Sequence, residues 1–316
     1  MANRTGLVTA KSLNVRPGPS TGEPPLASLT RGTRVDLLDT VGGWYRIRAG
    51  AVSGYVLADY VTVVDETPVA DYLWEMETLR TTPMAPPPEK EISILSRHTA
   101  AQKMAAGIWN RQGGLLEILC GIIDVAPASA VAVLCVESGG AGFDADNRMI
   151  IRFENHIFWN LWGKNKQHTF DAHFRFNAGK KWLGHQFRKD PSSAWGDFHG
   201  SQDGEWRVLD FARGLNGNAA LNSISMGGPQ IMGFNCARLG YDSAREMFEK
   251  FSADIRFQVL GLFDFLRGHG STSSMIEALK REDYVRFASL YNGPGQAPIY
   301  GARIEGYVNA FMGLKA

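Results

Sequence analysis

Two glutamates stand seventeen residues apart in the stretch VAVLCVESGGAGFDADNRMIIRFENHIF, which runs from Val131 to Phe158. Glu137 closes an apolar run, and Glu154 closes the short segment MIIRF. Two carboxyl groups across such a helix–turn–strand corner suit glycoside hydrolysis. That reaction needs one neutral acid to protonate the leaving oxygen and one carboxylate to activate water or stabilise the cationic centre. Glu137 suits the acid role. Between Ala126 and Val136 the only polar side chain is Ser129, so the carboxyl arrives at the end of a helix that is apolar all round. Desolvation there opposes ionisation, and the negative end of the helix dipole and any neighbouring carboxylate act in the same sense. The competing reading is a salt-bridged acid at a helix end. Glu154 can serve as base or electrostatic stabiliser, or it can pair with Arg152 or His156 as structure. Asp144 and Asp146 compete for the second role, although beside Asn147 they read as turn residues.

The elements that position these groups follow from pattern. Gly139-Gly140 end the apolar helix and let backbone and ligand approach closely. Pro127 opens it at a position that tolerates proline. HTAAQKMAAGIWNRQGG predicts one earlier helix ending at Gly113-Gly114, and LLEILCGIIDV predicts a second. GEWRVLDFARGLNGNAALNSISMGGPQIMG reads as a helix broken by glycines, then a loop that Gly227-Gly228-Pro229 cannot continue as helix. That loop presents backbone groups and Gln230, and Met232 is expected in the core. AREMFEKFSADIRFQVLGLFDFLRG predicts one long amphipathic helix. SLYNGPG sets Tyr291 and Asn292 at a helix end before a Gly-Pro turn.

VESGG, RFENHIF, SMGGPQIMG (Ser225–Gly233) and SLYNGPG (Ser289–Gly295), in that order, resemble the N-acetylmuramidase domain of modular phage endolysins. That domain belongs to the wider lysozyme superfamily with the goose-type lysozymes and lytic transglycosylases. The resemblance covers roughly Arg97 to the C-terminus. It implies hydrolysis of the β-1,4 bond from N-acetylmuramic acid to N-acetylglucosamine, with no cofactor and no metal. Ser138, Gln230, Tyr291 and Asn292 would then bind substrate, although helix capping and turn formation account equally for the last two. A lytic transglycosylase, which leaves anhydro ends, and a non-catalytic wall-binding protein are the alternatives.

Residues up to Val64 read as short strands separated by turns, the pattern of a small barrel. LNVRPGPSTG, GTRVDLL, GWYRIR and SGYVLADYV resemble bacterial SH3 domains, which commonly bind peptidoglycan. Trp44 and Tyr55 are the candidate wall contacts, with barrel packing as the alternative for both. Residues 65–96 hold two Lys/Arg against seven Asp/Glu, with prolines at 68, 83 and 86–88, and read as an acidic semi-rigid linker. DYLWEMETLR within it can form a short helix that docks on either neighbour. The expected architecture is therefore multi-domain: a small all-β SH3-like barrel (1–64), a linker (65–96), and a mainly α, lysozyme-like α+β domain (97–316).

Composition narrows the partners. Net charge is +1, so no global polyelectrolyte argument applies. Residues 160–189 carry seven Lys/Arg against one acid, with aromatics interleaved. This reads as a basic insertion bordering a glycan groove rather than a nucleic-acid interface. His168, His173, His185 and His199 lack tight metal-ligand spacing and read as surface or hydrogen-bonded residues. Cys120, Cys135 and Cys236 read as free thiols. No signal peptide and no membrane-spanning run are recognised, so synthesis in a host cytoplasm, release to the wall by another agent, and a monomer are expected.

Overall fold

The structure, a computed structural model, describes residues 4–50, 52–64, 72–139, 141–268 and 274–314. The chain divides into two compact units, Met1–Asp71 and Tyr72–Ala316. In the first, β1 (Arg4–Val8), β2 (Ser12–Val15), β3 (Ala27–Thr30), β4 (Arg34–Val41), β5 (Trp44–Ala49), β6 (Val52–Leu57) and β7 (Val61–Val64) follow one another. They pair antiparallel in the order β6-β5-β4-β1-β7, with β2 and β3 as a separate pair. Alternating side chains turn inward, so Val8, Leu13, Val15, Val35, Ile47, Val56 and Val61 form its core. This is the expected small barrel.

The second unit is mainly helical. Its first residues correct the expected linker. From Tyr72 the chain packs on the helical body, with Leu73 and, within α1 (Glu77–Thr81), Leu79 buried in its core ahead of the proline stretch. Leu73 N–H donates to both oxygens of Asp264, at 2.9 and 3.0 Å, and Trp74 stacks on Tyr241. Burial pushes the Asp264 carboxyl up to about 7, against the pull of the Leu73 N–H and Arg267. The expected spacer is thus a strap tied to the helical body from Tyr72 onward.

That strap explains a second correction. α2 (Ala100–Ile123) runs straight through Gly113-Gly114 as one helix, opened by a Thr99–Gln102 capping box. The glycines are a docking notch. Gly114 N–H donates to the Met84 carbonyl at 2.9 Å, and a Cβ there would stand 2.2 Å from the Ala85 oxygen. A Cβ at Gly113 would meet the Trp109 indole at 2.7 Å. Close packing, not helix termination, requires glycine at both positions.

α3 (Pro127–Ser138) packs against α2 and α11 (Ala297–Met312), and every residue from Ala130 to Cys135 is buried. Gly139, at φ +62°, caps it in the left-handed conformation. β8 (Ile151–Phe153) leads into α4 (Asn155–Leu161) and α5 (Gln167–His173). A small sheet of β9 (Phe174–Arg175), β10 (Gln186–Phe187) and β11 (Gly196–Asp197) comes next, followed by α6 (Gln202–Asn222). α6 is kinked at Asn216, whose backbone is extended, and not at its glycines. β12 (Ile224–Met226) and β13 (Ile231–Met232) form a hairpin, and β12 pairs with β8 through Ile224 opposite Phe153. Met226, not Met232, is the fully buried methionine of this loop.

The expected long amphipathic helix is two, α7 (Ala244–Ala253) and α8 (Ile255–Arg267). Asp254 between them is extended and caps α8 through the Arg256 N–H. α9 (Ser274–Lys280) and α10 (Tyr284–Tyr291) precede α11. Two hydrophobic cores result. One gathers α2, α3, α8, α10 and α11; the other gathers β8, α4, α6, β12 and α7; Trp74 and Phe265 pack on both. Among the described residues no single helix is long and apolar enough to cross a membrane.

Gly114→Ala is expected to lower the stability of this unit by about 1–3 kcal/mol, the usual range for overpacking against fixed backbone. Thermal denaturation checks it. A melting temperature unchanged or raised, as helix propensity alone would give, would show that the strap does not need the notch.

Candidate active site

Glu137 stands in the last turn of α3, half-buried, on the wall of an open cavity of about 360 Å³. Arg152, Ser201, Gln202, Glu205 and Gln230 line the same cavity. The residues before Glu137 pack on neighbouring helices, so nothing on its own element solvates it. Burial pushes its carboxyl up to about 7, and the one opposing contact is Asn292. Asn292 Nδ2 donates to Glu137 Oε1 at 2.9 Å, which leaves Oε2 to carry the proton of the neutral form. A group that is half protonated near neutrality and faces an open cavity can give a proton to a leaving oxygen.

Asn292 reaches Glu137 because α10 ends there: Tyr291 is its last residue, and Gly293, at φ +90°, turns the chain away. The Tyr291 ring stacks on Phe287 and meets Phe265 edge-on, and its hydroxyl donates to the Pro229 carbonyl at 2.8 Å. Burial, then the nearby Glu137 charge, hold that hydroxyl protonated well above the ordinary tyrosine range. The ring therefore anchors the β12–β13 hairpin to the first core.

Gln230 takes the left-handed conformation in the hairpin, at φ +53°. Its Oε1 accepts from Ser225 at 2.7 Å, and its Nε2 donates to the Gly227 carbonyl at 2.7 Å. One N–H and one lone pair stay over for a sugar. Gln258, fully buried on α8, ties the hairpin from behind: its Oε1 accepts from Gly228 N–H and its Nε2 donates to the Phe251 carbonyl, both at 2.8 Å. Gly227 has to be glycine, because a Cβ there would lie 2.4 Å from Gln258 Oε1. The side chain of Ser138 lies outside the described residues.

Glu154 sits at the N-cap of α4 without capping it, and its N–H donates to the Ser223 carbonyl at 2.8 Å. Glu154 directly follows β8, two residues beyond Arg152, which lines the cavity. Glu154 Oε1 accepts from Arg152 Nε at 2.9 Å. Its Oε2 lies 3.4 Å from His156 Nδ1 and 3.5 Å from His185 Nδ1, aligned with neither for a hydrogen bond. Burial pushes this carboxyl up, but His156, His185 and Arg152 outweigh it and hold it below the usual carboxylate range. The two glutamates are thus shifted in opposite directions. Asp144 accepts from the Asp146 and Arg148 backbones and pairs with the Arg148 guanidinium, as a turn residue does.

Glu154, His156 and His185 bring ligand-type atoms within 4.8 Å of one another. These residues do not fit a dication. The single carboxylate is already met by the Arg152 guanidinium, and His185 Nδ1 is engaged by His199 Nε2 at 3.0 Å. Burial pushes the Cys120 and Cys135 thiols up to about 12, which leaves neither as a nucleophile.

Sequence reasoning missed Glu205 and the joining of His185 to His199. Glu205 looks in the sequence like any acid in the first turn of a helix. Only the fold shows it buried, with Oε2 accepting from Phe153 N–H at 2.8 Å and Oε1 2.7 Å from His199 Nδ1. In the first unit Trp44 is only 8% exposed, which corrects its expected place as a wall contact. Tyr55 is half-buried, and Tyr60, at 47% exposure, is the open ring of that set.

A raised acid on a cavity wall and a lowered acid just past the strand that lines it, in a helical body preceded by a small barrel, fit a modular glycosidase. The N-acetylmuramidase family pattern matches residues 126–311, and the bacterial SH3 domain pattern matches residues 11–62. The chain belongs to the N-acetylmuramidase family and is a peptidoglycan hydrolase, a glycosidase that acts on the bacterial cell wall. The crystal structure of the Burkholderia AP3 phage endolysin is a structural neighbour, at 24% identity over 70% of this chain and 74% of that one, with a TM-score of 0.49. No curated protein sequence matches the chain.

Asn292→Ala removes the contact that favours ionised Glu137, so the Glu137 pKa should rise further. If activity needs the protonated acid, it is lost as pH rises through about 7 in the native enzyme. The variant's alkaline limb should then lie higher by about one unit, the equivalent of one charge-assisted hydrogen bond. Rate against pH on purified peptidoglycan measures this, and a limb that stays or moves down contradicts it.

Proposed function

We propose that the chain is an endolysin of the lysozyme type, cleaving the β-1,4 bond between N-acetylmuramic acid and N-acetylglucosamine by general acid catalysis. The observation that carries this is Glu137: a carboxyl pushed to about 7 by burial, on the wall of an open cavity. Its Oε2 proton goes to the glycosidic oxygen as the bond to the leaving sugar breaks. Glu154, held ionised, takes the proton of the attacking water or stabilises the oxocarbenium-like centre. Gln230 binds the sugar with its spare N–H and lone pair. Asn292 holds Glu137 and flanks the sugar, while Tyr291 positions the hairpin beneath it. The barrel holds the enzyme on peptidoglycan, through Tyr55 and Tyr60 in this reading. The protein acts as a monomer, is made in a host cytoplasm and reaches the wall after release.

Glu137→Gln is expected to reduce hydrolysis of purified sacculi by about a hundredfold or more, as for a lost general acid. The melting temperature should stay level or rise, because a neutral amide replaces an acid strained by burial. Retention of a tenth of native activity would remove Glu137 from the role. Mass spectrometry of the soluble products separates hydrolysis from transglycosylation, since reducing muramic acid ends mark the former and anhydro ends the latter.

Deleting residues 1–71 is expected to leave cleavage of soluble glycan fragments intact and to weaken lysis of whole sacculi, because a tethered second site raises effective concentration without touching the chemistry. Equal lysis of sacculi by both forms would argue against a wall-holding barrel.

A further inference from the structure

Behind Glu154 a chain of polar contacts closes on itself. Glu154 Oε2 faces His185 Nδ1 at 3.5 Å; His185 Nδ1 meets His199 Nε2 at 3.0 Å; His199 Nδ1 meets Glu205 Oε1 at 2.7 Å. Glu205 Oε2 then accepts from the N–H of Phe153, the residue before Glu154, at 2.8 Å. The His185 side chain is wholly buried, and its Nε2 lies 2.7 Å from the Lys181 carbonyl. The hairpin that carries it is fixed to α4 by Asn155 Nδ2, which donates to the Arg175 and Gln186 carbonyls at 2.8 and 3.0 Å.

The hydrogens in this chain can be counted from the partners. A carbonyl only accepts, so His185 Nε2 carries one. An ionised Glu205 accepts on both oxygens, so His199 Nδ1 carries a second. The 3.0 Å contact between the rings needs a third, or two lone pairs would oppose each other. Two neutral imidazoles hold two N–H hydrogens in all. Beside an ionised Glu205 the pair therefore bears one positive charge, and burial, which pulls the His185 pKa down, places it on His199. The other groups facing Glu154 are Arg152 on β8 and His156 on α4.

We infer that Glu205, acting through His199 and His185, is a positioning residue that keeps one positive charge behind Glu154 and so sets the acidic limit of the reaction. This rests on the reading of Glu154 as the carboxylate that must stay ionised. Glu205 lines the same cavity as Glu137, yet both of its oxygens are committed away from it.

Glu205→Gln separates charge from shape. The amide oxygen still accepts from Phe153 N–H, and the amide nitrogen donates to His199 Nδ1, which must then present a lone pair. Two hydrogens stay on two rings, every contact survives, and the positive charge is gone. The Glu154 carboxyl, followed by ¹³C NMR in selectively labelled protein, should titrate about one unit or more higher than in the native enzyme. The acidic limb of the rate profile should move up with it, and the alkaline limb, set by Glu137, should stay. His199→Phe, which breaks the chain at its middle, should move Glu154 the same way and serves if the first variant does not fold.

A Glu154 midpoint unmoved in a folded variant overturns the inference. So does loss of activity at every pH with that midpoint unmoved, which would make Glu205 part of the chemistry itself. Activity in the native enzyme that EDTA removes and zinc restores would also overturn it, because a metal would then hold these rings. The reading of Glu154 is tested apart from this. If Glu205→Gln moves the midpoint while folded Glu154→Gln hydrolyses normally, the charge relay stands and the base assignment falls.

Discussion

The structure depends on holding one carboxylic acid out of water at the end of an apolar helix while leaving it a single open side. α3 supplies the apolar run, and α2 and α11 bury it. Desolvation acts on Glu137 almost alone, since Asn292 is the one contact that favours its charge. A second donor, or a cation in place of Asn292, would pull the carboxyl back toward the ordinary range, where it is ionised at neutral pH. The second core brings the hairpin and β8 to this point, and Tyr291 and Gln258 join hairpin to helices through bonds of 2.8 Å.

The two glutamates show how one fold makes opposite acids of the same side chain. Both are largely removed from water, yet they differ in company. Glu137 meets an amide, whereas Glu154 meets a guanidinium and two imidazoles. Burial raises both; only Glu154 has enough positive charge beside it to reverse the sign. Divergent environments of this kind are how acid and base roles are divided between paired carboxyls.

The strap from Tyr72 to the proline stretch shows that the boundary between the modules is not where composition changes. Acidic, proline-rich residues are ordinary for a spacer. Here Leu73, Trp74 and Leu79 give that segment enough apolar surface to join the helical core, and Asp264 and the glycine notch of α2 receive its backbone.

By itself the sequence determined most of the elements and the place of Glu137 at the end of one of them. The apolar run before Glu137, Pro127 at its start and Gly139 at its end prescribe a buried helix with a carboxyl at its tip, because periodicity, capping and desolvation are local properties. The strand–turn rhythm of the first sixty residues prescribes a barrel for the same reason. Tertiary structure decided what those local rules cannot reach. Gly113-Gly114 reads as a stop until Met84 and Ala85 are seen against it. Ala244–Arg267 reads as one amphipathic helix until Asp254 turns its backbone to cap the second half. Trp44 reads as wall contact or barrel packing alike until it is found buried. His185, His199 and Glu205 carry no sequence signal at all, since hydrogen bonds between side chains from a hairpin, a loop and a helix start exist only once the chain has folded.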